Sequence, residues 1–230
     1  MSDQRTRVRA LLAVALHPNT PPAEAENALA LASKLMLKHG LSDDDIAEPA
    51  GFGDDHDVVL ETVTITGPYR VRRIGILYTI AVAHSCSAFR DFDSAEGCIM
   101  RIFGRSCDIF AARTLFAAAE VLSARLLPVG GRSARTSWFR GFESGLQESL
   151  GSARTQFVAE TPGAGLVLAD RADRAARERR LYLRTQGIHI SGGTSWVDTS
   201  SGDFGAGASA GRSFGGSGRS FGSGVRGELG

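Results

Sequence analysis

Apolar positions between residues 21 and 36 recur every three or four residues. Ala25, Ala28, Leu29, Ala32, Leu35 and Met36 form one stripe, with Glu24, Asn27, Lys34 and Lys38 mostly off it. That is the pattern of a helix buried along one side. Thr20 supplies a capping side chain, and Pro21 suits the first helical position, where its missing N–H costs nothing. Gly40 can end the helix in the left-handed conformation, with Leu41 folding back on Met36. A shorter stripe, Val8, Leu11, Leu12 and Ala15, precedes it and is broken by His17, Pro18 and Asn19. So short a link predicts an antiparallel helical hairpin within residues 1–49. Ser42 can cap a further turn, with Asp43, Asp44 and Asp45 at the helix end that favours negative charge.

The pattern changes after a Gly/Asp-rich linker at residues 50–57. From Val58 to Ile65 the alternation has period two: Val59, Glu61, Val63 and Ile65 on one face, Val58, Leu60, Thr62 and Thr64 on the other. This predicts a strand. Gly67 and Pro68 turn the chain, and residues 69–84 read as a helix with Val71, Ile74, Leu77 and Tyr78 inward, widened by Ile80 and Val82. Arg70, Arg72 and Arg73 fall in its first turn, the unfavourable end for cations; solvent or a nearby anion can answer them. Residues 86–92 and 97–103 read as a hairpin turning at 93–96. Ser106 is the expected cap of a helix over 107–126.

VGGRSARTS, residues 129–137, reads as a loop that lacks the Gly-Lys-Ser/Thr of a phosphate loop. Residues 134–158 then predict a long helix with Trp138, Phe142, Gly145, Leu146 and Ser149 or Leu150 inward. Gly141 and Gly145, one turn apart, each cost about 1 kcal/mol relative to alanine in a helix interior; close approach of a second helix backbone is the usual compensation. Residues 167–184 predict another helix, with Leu168, Ala172, Ala175, Ala176, Leu181, Tyr182 and Leu183 apolar. Its other face carries Arg171, Arg174, Arg177, Arg179, Arg180 and Arg184. From residue 191 the composition turns glycine-rich. Residues 202–230 hold 11 glycines among 29, with Arg212, Arg219 and Arg226 seven apart. Such a segment reads as a flexible tail over 191–230, although small residues at Gly207 and Gly211 permit a short packed helix before it.

The N-terminal stretch LLAVALHPNTPPAEAENALALASKLMLKHGLS resembles the module of domain of unknown function family 2786, in spacing and in residue type. IFGRSCDIFAARTLFAAAEVL and WFRGFESGLQESL resemble, more weakly, the second domain that often follows it. The resemblance implies a bacterial protein of phage or mobile-element origin. It implies no activity, so no catalytic residue is carried over.

Composition narrows the function classes. The 230 residues are 43% apolar with a net charge of +1, which suits a globular core and argues against a strongly basic nucleic-acid binder. Residues 1–127 carry 13 basic and 16 acidic side chains, and the remainder 13 and 9. No run approaches the ~20 apolar residues of a membrane span. The charged N-terminus does not read as a signal peptide, and the odd count of three cysteines fits a reducing cytoplasm.

The candidate chemistry is sparse. His84, Cys86, Cys98 and Cys107 are residue types that bind zinc, but their spacing matches no common zinc motif, and buried structural thiols are the competing reading. GIHISGGTSW, with His189, combines a histidine, hydroxyls and glycines without a partner acid in sequence. The expected fold is α+β, mainly helical: a helical hairpin, an α+β domain over 58–190 with a small antiparallel sheet packed by helices, and a disordered glycine-rich tail. The expected function is a non-catalytic accessory protein that binds nucleic acid or a protein partner, with no cofactor. Nucleic-acid contacts would come from Arg171, Arg174, Arg177, Arg180, Arg212, Arg219 and Arg226, since arginines release counterions from phosphates. The alternative is a hydrolase or zinc enzyme using His84 and Cys86, or His189. Oligomeric state is left open.

Overall fold

The computed structural model describes residues 57–91, 97–190 and 202–214, together with scattered positions between 6 and 35. The expected third turn after Gly40, the linker to residue 56, the hairpin turn at 93–96 and residues 191–201 and 215–230 lie outside the described residues.

Three antiparallel strands form one sheet in the order β1-β3-β2, with β1 at Val59–Ile65, β2 at Ser87–Arg90 and β3 at Cys98–Gly104. The period-two pattern of β1 sets its register. Ile65 lies opposite Cys98, Val63 opposite Met100 and Glu61 opposite Ile102. These residues share the face covered by helices α1 (Arg70–Ala83) and α2 (Ser106–Leu126). Ile74, Ile76, Leu77, Ile80 and Ala81 of α1 are buried there, whereas Val71, Tyr78 and Val82 are more than 40% exposed. The inward stripe is therefore rotated from the expected one. RVRRIGILYTIAVA is apolar on most sides, so periodicity alone does not fix which side meets the sheet.

Helix α2 begins one residue earlier than expected. Its cap is Arg105 in extended conformation, with no side-chain hydrogen bond capping the helix, and Ser106 is already helical. The loop expected at 129–137 is mostly helix, because α3 runs from Arg132 to Glu160 with Gly131 as its cap. Helix α4, Ala164–Thr185, crosses the opposite face of the sheet. Phe89 and Phe103 point to that side and pack with Ala175, Tyr182, Leu183 and Ile188. The sheet is thus sandwiched between helical layers, as a small sheet with two apolar faces must be.

Within the stretch expected to be a glycine-rich tail, Gly202–Phe214 forms helix α5. It lies against α3 at the glycines of both helices. A Cβ built on Gly141 would stand 2.9 Å from Ala208 N and closer still to Phe204 O; one on Gly207 would stand 2.9 Å from Phe142 N. The interface is backbone against backbone, sealed by Phe214, which is 1% exposed and meets Phe142 edge-on at 6.4 Å. The described N-terminal positions are helical except Thr20, whose hydroxyl donates to Val14 O at 2.7 Å. Val8 and Leu35 pack on Phe110 and Ala111 of α2.

Candidate functional site

Helix α4 carries most of the chain's candidate binding residues, and its ends are well defined. Gly163 precedes it at φ 82°, and Gly187 follows it at φ 63°. Ile188 N donates to Leu183 O at 2.9 Å and Gly187 N to Arg184 O at 3.2 Å. With Ile188 and Leu183 in one apolar cluster, this is a Schellman stop. The helix is pinned to the body by Leu168, Ala175 and Tyr182, one side of its 3.6-residue period.

The arginines divide between two faces. Arg171 turns inward, and its Nη1 donates to Asp108 Oδ1 at 3.1 Å. Arg179 also turns inward, to Ala88 O at 3.3 Å. These two sit four residues either side of the fully buried Ala175, a spacing visible in the sequence once the inner face is known. Arg174, Arg177, Arg180 and Arg184 are exposed. Arg174 pairs with Asp170 at 2.8 Å, and Arg177 Nε donates to Asp173 O at 3.4 Å. Arg174 and Arg177 also line an open depression of about 480 Å³ with Asp57, Val58 and Glu178. On α5, Arg212 pairs with Glu148 at 3.4 Å. Arg219 and Arg226 lie outside the described residues. His189 is exposed.

Beneath the start of α4 lies a buried polar seam that sequence reasoning missed. Ser85 is 1% exposed and holds φ 61°, in the left-handed region. Its hydroxyl donates to Leu168 O at 3.2 Å and accepts from Arg154 Nη1 at 3.0 Å; the same nitrogen donates to Ala83 O at 2.9 Å. One serine thereby links the ends of α1, α3 and α4. Burial raises the Asp108 carboxyl above its usual range, against the opposing pull of Arg171 and Arg105. His84 is held down to about 4 by burial first and the Arg154 guanidinium second, so its imidazole is neutral at pH 7. Burial, then Asp108, pushes the Cys86 thiol up, away from the thiolate a nucleophile or metal ligand needs.

A half-buried carboxylate lies between α1 and α3. Glu143 stands over Gly75, whose added Cβ would come within 2.9 Å of Oε2. Burial raises its pKa, while Arg72, Thr79 and Arg140 act the other way. With Glu120, which takes the Arg73 guanidinium, it answers Arg72 and Arg73 at the unfavourable end of α1.

The four residues of zinc-binding type are all buried: His84 1%, Cys86 6%, Cys98 0% and Cys107 3% exposed. They do not form one set. Cys98 opens β3, while Cys86 Sγ would be 2.7 Å from a Cβ on Gly104, which closes it. Six residues of strand separate those ends by roughly 20 Å. Among the described residues, no group of three or more His, Cys, Asp and Glu has an arrangement that could hold a metal ion.

Among the described residues, no helix is long and apolar enough to cross a membrane. Neither the curated proteins nor the solved structures offer a match to the chain. Residues 5–43 match the family described as protein of unknown function (DUF2786).

Proposed function

We propose that this chain is a non-catalytic binding module, accessory to a phage or mobile element, and that the outer face of α4 grips the phosphate backbone of single-stranded nucleic acid. The observation that carries the reading is the division of the α4 arginines. Arg171 and Arg179 are spent inward on Asp108 and Ala88, while Arg174, Arg177, Arg180 and Arg184 remain exposed on a helix fixed at both ends. Ten residues at 1.5 Å rise span roughly 15 Å, room for several successive phosphates. Leu181, 50% exposed between these arginines, offers an apolar surface for a base. In this reading Arg212, Arg219 and Arg226 add contacts from the C-terminal segment. The buried thiols and imidazole serve packing.

The test is fluorescence anisotropy of a labelled single strand over a salt series. Each phosphate contact contributes about 0.7 to the slope of log affinity against log salt on a single strand. The variant R177A/R180A/R184A is expected to lower that slope by about 2, with an unchanged melting temperature. No binding at low salt, or binding whose salt slope ignores the three arginines, refutes the proposal.

A further inference from the structure

The two edges of the sheet are built differently. β2 is four residues long, ends on the exposed Arg90, and is followed by Asp91, which is ion-paired to Arg101. Short length and charge are the usual protection of a strand edge. β1 has neither. All seven of its residues are in continuous register with β3, without a bulge. Its sequence, VLETVTI, has no proline, glycine or lysine, and its one charge, Glu61, is held by Arg113 of α2. Among the described residues no strand pairs with its other side. Val59 is 39% and Leu60 41% exposed, and Thr62 and Thr64 are exposed.

We propose that the free edge of β1 pairs antiparallel with β1 of a second copy of this chain, about a two-fold axis at Thr62, joining two three-stranded sheets into one of six. The strand is complementary to itself in that register. Thr62 meets Thr62 of the copy, Leu60 meets Thr64, Val59 meets Ile65, and Glu61 meets Val63. The only charge in the strand therefore falls opposite an apolar residue and never directly opposite its own copy, an arrangement that would destabilise the pair. Both exposed apolar side chains gain a cross-strand neighbour. The contact uses the same patch on both partners, so it closes at the dimer.

The test uses the full chain. Sedimentation equilibrium is expected to show a concentration-dependent dimer. Thr62→Lys and Thr62→Glu should each be monomeric while keeping the wild-type circular dichroism, and should melt with the wild type at concentrations where that too is monomeric, because residue 62 is exposed. Mixing the two variants should restore a dimer. Thr62→Cys should cross-link to itself under mild oxidation, since residues facing across an antiparallel pair stand about 4.5–5.5 Å apart at Cα, whereas Leu60→Cys should not. A wild-type monomer at every concentration reached overturns the proposal. So does a dimer indifferent to Thr62→Lys, or one that cross-links as readily through position 60. A monomer that pairs β1 only with an extended peptide overturns it in favour of a different partner.

Discussion

Replacing Gly145 by alanine tests the contact that seats α5. In an unencumbered helix interior that change stabilises by about 1 kcal/mol. At Gly145 the new Cβ would stand 2.8 Å from Arg212 N and closer still to Ala208 O. Both are backbone atoms, so no rotamer change relieves the clash. Either the helices part, an overpacking cost of roughly 1–3 kcal/mol, or α5 lifts away and Phe214, now 1% exposed, loses the roughly 1.5–3 kcal/mol of burying a large apolar side chain. Either route offsets the propensity gain and leaves a net loss of up to about 2 kcal/mol. Gly151, six residues on in the same helix, has nothing within 4 Å of an added Cβ, so G151A should gain about 1 kcal/mol. The assay is urea denaturation followed by tryptophan fluorescence; Trp138 is 2% exposed, and its carbonyl meets Gly207 across the interface. The two variants should differ by about 1–3 kcal/mol, with G145A the less stable. If G145A is as stable as G151A, the close approach of α3 and α5 is wrong.

His84 predicts a pH dependence. Its folded pKa, about 4, lies below the unfolded 6.5, so between those values the unfolded chain binds more protons and stability falls as the pH falls. Asp108 and Glu143, whose carboxyls are raised, act with the opposite sign above their unfolded values. The histidine's part is therefore the difference between wild type and H84Q: on the order of 3 kcal/mol present at pH 7 and lost by pH 4, checked by urea midpoints across that range. S85A should cost about 1–3 kcal/mol by removing both hydrogen bonds. S85G should cost about 1 kcal/mol less, because glycine accepts the left-handed backbone freely; equal losses in thermal melts would contradict this. R171A should cost up to roughly 3 kcal/mol by taking the hydrogen-bonded guanidinium from the buried Asp108 and leaving only Arg105 to oppose its burial. R180A, on the outer face, should stay within about 0.5 kcal/mol of wild type in the same melts.

The comparison of these arginines shows how much of the site was legible. Their presence on one helix with the apolar stripe of Leu168 and Ala175 follows from a 3.6-residue period. That Arg171 and Arg179 face inward does not, because an arginine beside an apolar stripe can run its stem along that stripe and send its head either way. The choice depends on Asp108 and the Ala88 carbonyl, 63 and 91 residues distant in the chain. Ser85 was equally hidden, since nothing in His-Ser-Cys announces a left-handed serine. In α1 the apolar residues were found but the buried side was misassigned at Val71, Tyr78 and Val82, because a helix apolar on most sides is oriented only by what it packs against.

Local patterning was enough for the three antiparallel strands, the inward residues Ile65 and Val63 of β1, the core stripe Trp138, Phe142 and Leu146, and the resemblance of residues 5–43 to the family that matches them. These follow from side-chain periodicity, which acts between residues a few positions apart. Gly141 and Gly145 even announced that a second backbone must come close. Its identity came only from the tertiary structure: α5, from a segment whose composition reads as tail. Glycine-rich sequence cannot bury a core alone, but its missing side chains let it sit against another helix at backbone distance, and that partner lies about sixty residues away in the chain.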